Sequence, residues 1–255
     1  MNIMLILAFL FFIGCVLGWC IEVLFRRFEP DNKTHKWINP GFLVGPYLPL
    51  YGSGLCVMYL MARWESVFHI QSPVWSKVVL ILIIGVSMTV LEYIAGVISV
   101  YIMHVRLWDY SRRKFNIQGI ICPLFSLIWT AIGALYCIVI HPRILAALEW
   151  LSRNLAFSFF IGLFFGVFII DLCYSMNMVA KIKKFADENQ ILVRYEALKL
   201  HIRQEMDSRK KKYSFVFALH APTELAEQFK SYAEKEKRAR EELLQKIREK
   251  KASKH

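Results

Sequence analysis

The chain has 255 residues, of which 56% are hydrophobic, against roughly 45–50% in an average soluble domain. Because the apolar residues fall in long blocks, this composition excludes an ordinary soluble domain and predicts several crossings of a membrane. Much of the formal net charge of +12 lies after residue 180. No aromatic–basic recognition pattern accompanies it, so we expect contact with anionic lipid headgroups and not with nucleic acid.

The first apolar run covers residues 3–25. At about 1.5 Å per residue it is long enough to cross a hydrocarbon core of about 30 Å. Gly14 and Gly18 form a small-xxx-small pattern, which predicts close packing against a neighbouring helix. Glu22 lies near the end of the run, where it is either part of a polar membrane site or half of a helix-end pair with Arg26.

The second predicted span, residues 41–62, is interrupted by several glycines and prolines in its first half. Asn39 precedes this stretch, and Pro46 and Tyr47 lie within it. Proline removes a backbone donor and glycine loosens a helix, so the freed carbonyls must be satisfied by protein or water. We expect a broken or re-entrant entry to this span, with a simple kink as the alternative. Interrupted helices often line the substrate sites of transporters.

The third predicted span, residues 78–103, carries a carboxylate, Glu92. A charge at the bilayer centre costs about 3 kcal/mol or more, so such a residue usually faces a partner or a cavity. Glu92 could bind a cation, relay a proton, pair with Arg112 or Arg113, or act as a structural clamp between helices. The loop that follows contains further polar and aromatic candidates, namely Trp108, Asp109, Tyr110 and Asn116.

The last two predicted spans cover residues 120–140 and 155–177. Pro123 lies at the start of the first of them, and we expect His141 and Pro142 to end it, because proline disfavours helix at the preceding residue. Asp171 lies near the end of the second.

The distribution of basic residues predicts the topology. The four loops between the predicted spans hold four, two, four and two Lys or Arg residues, and the region after residue 180 holds twenty. The positive-inside rule then places the N-terminus outside and the C-terminus in the cytoplasm of a bacterial inner membrane. We therefore expect an all-α membrane protein with about five transmembrane helices, in a membrane domain of residues 1–178, followed by a basic cytoplasmic helical tail of residues 179–255.

The pattern also indicates an internal repeat. Asn39 precedes Pro46 by seven residues, and Asn116 precedes Pro123 by seven. Each asparagine follows a glutamate-bearing span and a basic loop that contains tryptophan. Two spans per unit would make the repeat parallel.

Sequence motifs for known chemistry are missing. There is no P-loop, no H-E-x-x-H and no G-x-S-x-G, and the six cysteines form no C-x-x-C pair. We therefore expect no enzymatic activity, no metal and no cofactor, with an intramembrane lipid enzyme using Glu92 and Asp109 as the weakest alternative. The residues that we expect to form a polar membrane site are Glu22, Asn39, Pro46, Tyr47, Glu92, Trp108, Asp109, Tyr110, Asn116, Pro123 and Asp171.

Two stretches resemble the signature regions of a bacterial multi-pass family, the ABC-transporter type IV permeases. The first contains EVLFRRF and WINPGFLVGPYLPLYGSG, and the second is LEYIAGVISVYIMHVRLWDYSRRKFNIQGIICPLFSLIWTAIG. The resemblance covers roughly residues 5–175 and leaves the tail out. It implies a transmembrane subunit that works with separate ATPase chains, and it brings no catalytic residues.

Two functions follow as expectations. The first is a permease-like subunit that moves a solute with a separate ATPase, within at least a dimer or a hetero-oligomer, since five spans are few for a whole pathway. The alternative is a membrane scaffold or regulator that recruits a partner through its basic tail.

Overall fold

The computed structural model describes residues 2–28, 32, 35, 37–65, 72–189, 193–195 and 198–199, with single positions between 231 and 245. The helices predicted in the tail after residue 200 lie almost entirely outside the described residues. The predicted class is confirmed, because the described chain is overwhelmingly helical and built of long apolar helices. The helices are α1 (Ile3–Phe28), α2 (Pro49–Arg63), α3 (Pro73–Val97), α4 (Pro123–Leu135), α5 (His141–Arg153) and α6 (Ser158–Asn189).

Four helical runs of the described chain are long and apolar enough to cross a membrane. They are Ile3–Phe28, Pro73–Ile102, Pro123–Arg153 and Leu155–Lys184. Along α3 and its extension, large apolar side chains recur at every fourth residue and are exposed, as expected of a face that meets lipid. These residues are Val74, Val78, Leu82, Val86, Val90, Ile94, Ile98 and Ile102.

The second predicted span is shorter than the four helical runs that are long enough to cross a membrane. Its regular part, α2, has 15 residues, about 22 Å at the usual helical rise, which is less than the hydrocarbon thickness. Residues 37–48, named here loop 37–48, have no regular structure, and the helix starts at Pro49, where no backbone donor is needed. The expected interruption is therefore present, whereas a count of five spans stays a prediction.

The helices pack as two pairs, α1 on α2 and α3 on α4, and α2 also packs on α3. Glycines make the first pair close. A Cβ atom on Gly14 would lie 2.9 Å from the Cα atom of Gly52, and one on Gly18 would overlap the ring of Tyr51. The predicted close packing of Gly14 and Gly18 is thus confirmed.

The fourth predicted span does not end at His141 and Pro142, so that expectation was wrong. A five-residue π-helical segment, Tyr136–Ile140, follows α4, and α5 begins directly at His141. Pro142 is the second residue of α5, and the helical path continues through it. A second π-helical segment, Ile98–Ile102, extends α3.

Helix α6 continues beyond the predicted span end at residue 177, as far as Asn189. Two short strands then join the chain after α6 to the loop after α3. Strand β1 (Val105–Arg106) pairs in parallel with β2 (Val193–Arg194), with Val105 opposite Val193. The segment around residue 195 therefore lies against the membrane helices' connecting loops.

Candidate functional site

The loop after α3, residues 103–122 and named here loop 103–122, is braced by its own polar side chains. Arg106 donates a hydrogen bond from Nη1 to Oδ1 of Asp109 at 2.9 Å, and the backbone N–H of Ser111 donates to the same oxygen at 3.0 Å. The indole N–H of Trp108 donates to the carbonyl oxygen of Ile120 at 2.8 Å. Asp109 and Trp108 therefore fix the shape of this loop.

Asn116 ties the second half of the loop together. Its side-chain oxygen accepts from the backbone N–H of Gly119 at 2.9 Å, and its amide donates to the carbonyl of Arg113 at 2.8 Å. Gly119 has a φ of +69°, and a Cβ atom there would collide with the Arg106 side chain, so glycine is required. The carbonyl of Gly119 then accepts from the backbone N–H of Tyr110 at 2.8 Å, which positions Tyr110.

Tyr110 reaches from this loop to the buried carboxylate of α3. Its hydroxyl donates to Oε1 of Glu92 at 3.0 Å, and its ring stacks on Phe125 of α4 with centroids 4.2 Å apart. The indole N–H of Trp129, also on α4, donates to Oε2 of Glu92 at 3.0 Å. Glu92 is only 3% exposed, so both of its oxygens are satisfied within the protein by neutral donors.

Glu22 occupies a related place in the first helix pair. Its Oε1 accepts from Arg26 at 2.8 Å, which confirms the predicted pair, and its Oε2 accepts from the hydroxyl of Tyr51 on α2 at 2.7 Å. The rings of Tyr51 and Trp129 lie 6.1 Å apart, so the two glutamates belong to one polar cluster between the helix pairs. We name it the carboxylate junction: Glu22, Arg26, Tyr51, Glu92, Tyr110 and Trp129.

Asp171 on α6 forms a separate site, because it holds loop 37–48. Its carboxylate accepts from the backbone N–H groups of Val44 (3.2 Å) and Gly45 (2.7 Å), and from the hydroxyl of Tyr47 at 2.5 Å. Ser175, one turn later on the helix, donates to the same carboxylate at 2.8 Å. Asp171 thus satisfies donors that the interrupted chain leaves without a helical partner.

Asn39 and a lysine from the chain after α6 make further hydrogen bonds that stabilise loop 37–48. The Asn39 amide donates to the carbonyl of Val44 at 2.8 Å, and its oxygen accepts from the indole N–H of Trp19 at 2.6 Å. Lys199 donates from Nζ to the carbonyl oxygens of Asn39 at 2.7 Å and Gly41 at 2.5 Å. Loop 37–48 is therefore fastened by α1, by α6 and by the segment that follows it.

The predicted residues therefore divide among several places. Glu22, Glu92 and Tyr110 meet in the carboxylate junction, whereas Tyr47 and Asp171 meet at loop 37–48. Trp108, Asp109 and Asn116 act on the loop backbone. Pro123 starts α4, and Pro46 is exposed in the bend before α2.

The proposed pairing of Glu92 with Arg112 or Arg113 was wrong. Both arginines are exposed on loop 103–122, and the partners of Glu92 are Tyr110 and Trp129. Sequence reasoning missed Tyr51 and Trp129. One signal was present: an indole N–H inside an apolar span must find an acceptor, and glutamates were the acidic acceptors predicted near that depth.

Two groups of loop 103–122 have shifted pKa values. Burial by itself raises the pKa of Asp109, but hydrogen bonds from Ser111 and the neighbouring Arg106 guanidinium outweigh it and hold that pKa below its usual value. Burial, and then the Glu92 carboxylate, raise the pKa of Tyr110. The phenol therefore keeps its proton and can donate or accept a hydrogen bond.

Metal binding has no support in the described part of the chain, where no group of three or more His, Cys, Asp or Glu side chains is arranged to hold an ion. The junction instead offers carboxylates, phenols and an indole. Such groups can bind a cation or a proton, or hydrogen-bond a polar solute.

Comparison with known proteins gives one family. The family model described as "Putative ABC-transporter type IV" matches residues 9–176, which include all of the residues of the carboxylate junction, loop 37–48 and Asp171. No curated protein and no solved structure matches the chain.

Proposed function

The chain belongs to the ABC-transporter type IV family, and from this membership we propose that it is a permease-like subunit that moves a solute with a separate ATPase. The long apolar helices of the described chain, together with the family, support a location in a membrane. The sequence carries no P-loop of its own, so the energy of ATP hydrolysis would have to come from another chain.

The observation that carries the proposal is the carboxylate junction. Glu22 and Glu92 lie on helices long enough to span a membrane, and each accepts hydrogen bonds from a partner on a different element. Ionisable groups within membrane-spanning segments are costly and usually serve a pathway. The junction also lies between two helix pairs, the place where relative movement of the pairs would change its hydrogen bonds.

Loop 37–48 supports the same proposal. An irregular segment next to membrane helices is tolerated where protein satisfies its backbone groups, and Asp171 does so here for Val44 and Gly45. Broken entries of this kind occur beside the substrate sites of transporters. This loop and the junction are joined through α1, which carries both Trp19 and Glu22.

Co-purification tests the proposal. The tagged full-length protein is extracted from its native membrane in mild detergent, and the chains that elute with it are identified and quantified. We expect a P-loop ATPase in near-equal amount, within a homo- or hetero-oligomer. Solute transport in vesicles by the purified protein alone, with no ATPase present, would contradict it, and an unrelated multi-span protein carrying the same tag is the control.

The orientation belongs to the proposal as well. The distribution of Lys and Arg favours an inner membrane with the N-terminus outside and the C-terminus in the cytoplasm, where the basic tail meets anionic lipid headgroups. Labelling by a membrane-impermeant reagent checks this, at a single cysteine introduced after residue 250 in a variant whose six native cysteines are replaced by serine. We expect labelling only after the cells are broken open.

A scaffold or regulator is the second candidate, and one observation favours it. The chain after α6 touches both loops: β2 pairs with β1 in loop 103–122, and Lys199 binds the carbonyls of Asn39 and Gly41 in loop 37–48. A partner bound to the tail would therefore act directly on both loops. On this candidate, a chain that ends at residue 179 remains folded in the membrane but loses function, and full complementation by that chain would contradict it.

A further inference from the structure

Glu92 is the one buried Asp or Glu among the described residues. Its two hydrogen-bond donors, Tyr110 and Trp129, are uncharged. The carboxylate of Glu22, in contrast, is paired with the guanidinium of Arg26 at 2.8 Å. An ionised Glu92 would therefore be a buried anion whose two direct partners carry no charge, which is a costly state in a membrane.

The groups that face Glu92 from the other elements do not remove this cost. Helix α1 contributes Glu22, an acid, and Arg26, which already pairs with that acid. Helix α2 contributes the phenol of Tyr51, loop 103–122 contributes Tyr110, and α4 contains no titratable residue. Among the described residues, the direct partners of Glu92 therefore include no cation.

The hydrogen bonds around Glu92 suit the neutral acid without any movement of heavy atoms. An indole N–H can only donate, so Oε2 acts as the carbonyl oxygen that accepts from Trp129. A phenol can donate or accept a hydrogen bond, so Oε1 can carry the acid's proton and donate a hydrogen bond to the oxygen of Tyr110. The same two contacts, each 3.0 Å long, serve the ionised acid when Tyr110 donates instead.

We propose that Glu92 is a proton-binding site at the carboxylate junction, with Tyr110 and Trp129 as the groups that adapt to its two forms. On binding, a hydronium ion gives a proton to the phenol oxygen of Tyr110 while the phenol passes its own proton to Oε1 of Glu92, and the hydronium leaves as water. On release the two transfers run in reverse, and a water molecule takes the proton. Tyr110 is the route, since it belongs to that loop and touches Glu92. The relevance to solute movement rests on the proposed function, whereas the proton site rests on the geometry alone.

Infrared difference spectroscopy of the full-length protein in lipid vesicles tests the site directly, with the proton as the probe. The pH is stepped across about 4 to 9, the range in which buried carboxyl groups commonly titrate. We expect a carbonyl band of a protonated carboxylic acid that changes reversibly with pH and is lost in Glu92→Gln. Glu22→Gln is the matched control, and it should keep the band because Glu22 pairs with Arg26.

A second variant identifies the environment of the proton. Trp129→Phe removes the N–H that donates to the carbonyl oxygen of the neutral acid, so the carbonyl band should move to higher frequency. Trp75→Phe, on the exposed face of α3, should leave its frequency unchanged. If Glu92→Gln does not fold, isotope labelling of the wild-type protein gives the assignment. A ¹³C label in the glutamate carboxyl groups must shift the carbonyl band, whereas a ¹³C label in the aspartate carboxyl groups must leave the band in place.

Three results would overturn the proposal: no pH-dependent carboxylic acid band, a band that Glu92→Gln leaves intact, or a band that glutamate labelling does not move. None of these depends on an ATPase or on a solute. A missing ATPase partner would therefore contradict the proposed function and leave the proton site unaffected. A missing carboxylic acid band would contradict the proton site and leave the proposed function unaffected.

Discussion

The two helix pairs place a glutamate in the same cluster but satisfy it in different ways. In the α1–α2 pair, Glu22 is bound by Arg26 on its own helix and by Tyr51 on the partner helix. In the α3–α4 pair, Glu92 is bound by Trp129 on the partner helix and by Tyr110 from the loop between them. One carboxylate is neutralised by a cation, whereas the other is held by neutral groups.

This difference gives the two glutamates different surroundings. An arginine one turn after Glu22 makes an ion pair with it within a single helix. The residue one turn after Glu92 is Gly96, and the loop residue Ile120 packs against it where a side chain would be. The α3–α4 pair therefore has a closely packed loop where the α1–α2 pair has a cation, and that loop contains Tyr110.

The largest effect is expected from Glu92→Leu. This change leaves the Trp129 N–H and the Tyr110 O–H buried without an acceptor, and each such group costs about 1–3 kcal/mol. We expect a loss of roughly 3–5 kcal/mol of unfolding free energy, measured by SDS titration in mixed micelles and followed by circular dichroism. Glu92→Gln is the matched control, since its amide still accepts from Trp129 and needs no cation. An equal loss in both variants would contradict the account of Glu92.

We expect the next largest loss of unfolding free energy from Arg26→Met. It leaves the Glu22 carboxylate, whose side chain is 16% exposed, with Tyr51 as its one remaining partner among the described residues. Breaking a largely enclosed ion pair costs about 3 kcal/mol. The same titration measures it. Adding Glu22→Gln to this variant should restore most of the stability, because the uncompensated charge is then gone. No recovery in the double variant would show that Arg26 acts through packing and not through its charge.

Tyr51→Phe should lower the unfolding free energy by a smaller amount, and it tests how far each glutamate depends on its tyrosine. It removes one hydrogen bond from Glu22, whose pairing with Arg26 remains, so we expect a loss of about 1 kcal/mol. Tyr110→Phe removes one of the two hydrogen-bond partners that Glu92 has among the described residues, and it should cost more. Unfolding of both variants under identical conditions decides the order, and a reversed order would mean that Glu22 is the more dependent carboxylate.

The smallest effect concerns Asp109, which braces the loop that carries Tyr110. Its pKa is lowered in the folded protein, so its stabilisation is fully present above its ordinary pKa of about 4 and is lost as the pH falls through the folded value. Asp109→Asn should remove that part of the pH dependence. Thermal unfolding in detergent at a series of acidic pH values measures it, with Glu149→Gln, an exposed acid on α5, as the control.

Much of the fold followed from local patterns, and the misplaced features have physical reasons. Apolar blocks located the long helices, because a span needs about 20 apolar residues. The π-helical segment at Tyr136–Ile140 was not predicted, since one extra residue in a turn leaves the apolar composition unchanged. The proline at position 142 therefore indicated a helix end where the chain in fact continues as α5.

The acids of the candidate site and the donors Tyr47 and Tyr110 were predicted, whereas the donors Tyr51 and Trp129 were missed. Glu22, Glu92 and Asp171 stand out because a carboxylate is rare in an apolar run. Tyr51 and Trp129 are ordinary residues of such runs, and only their contacts distinguish them. Arg112 and Arg113 were attractive partners by charge, but they lie on the exposed part of their loop.

By itself, the sequence determined that this protein is helical, lies in a membrane and belongs to a transporter family, because long apolar runs and extended motifs are properties of the chain. It also determined the Glu22–Arg26 pair, whose members are one helical turn apart. Only the tertiary structure decided that Glu92 meets Tyr110 and Trp129, and that Asp171 holds loop 37–48. Those partners are distant in sequence, and the packing of helices on one another, not the spacing of residues, brings their atoms within hydrogen-bond distance.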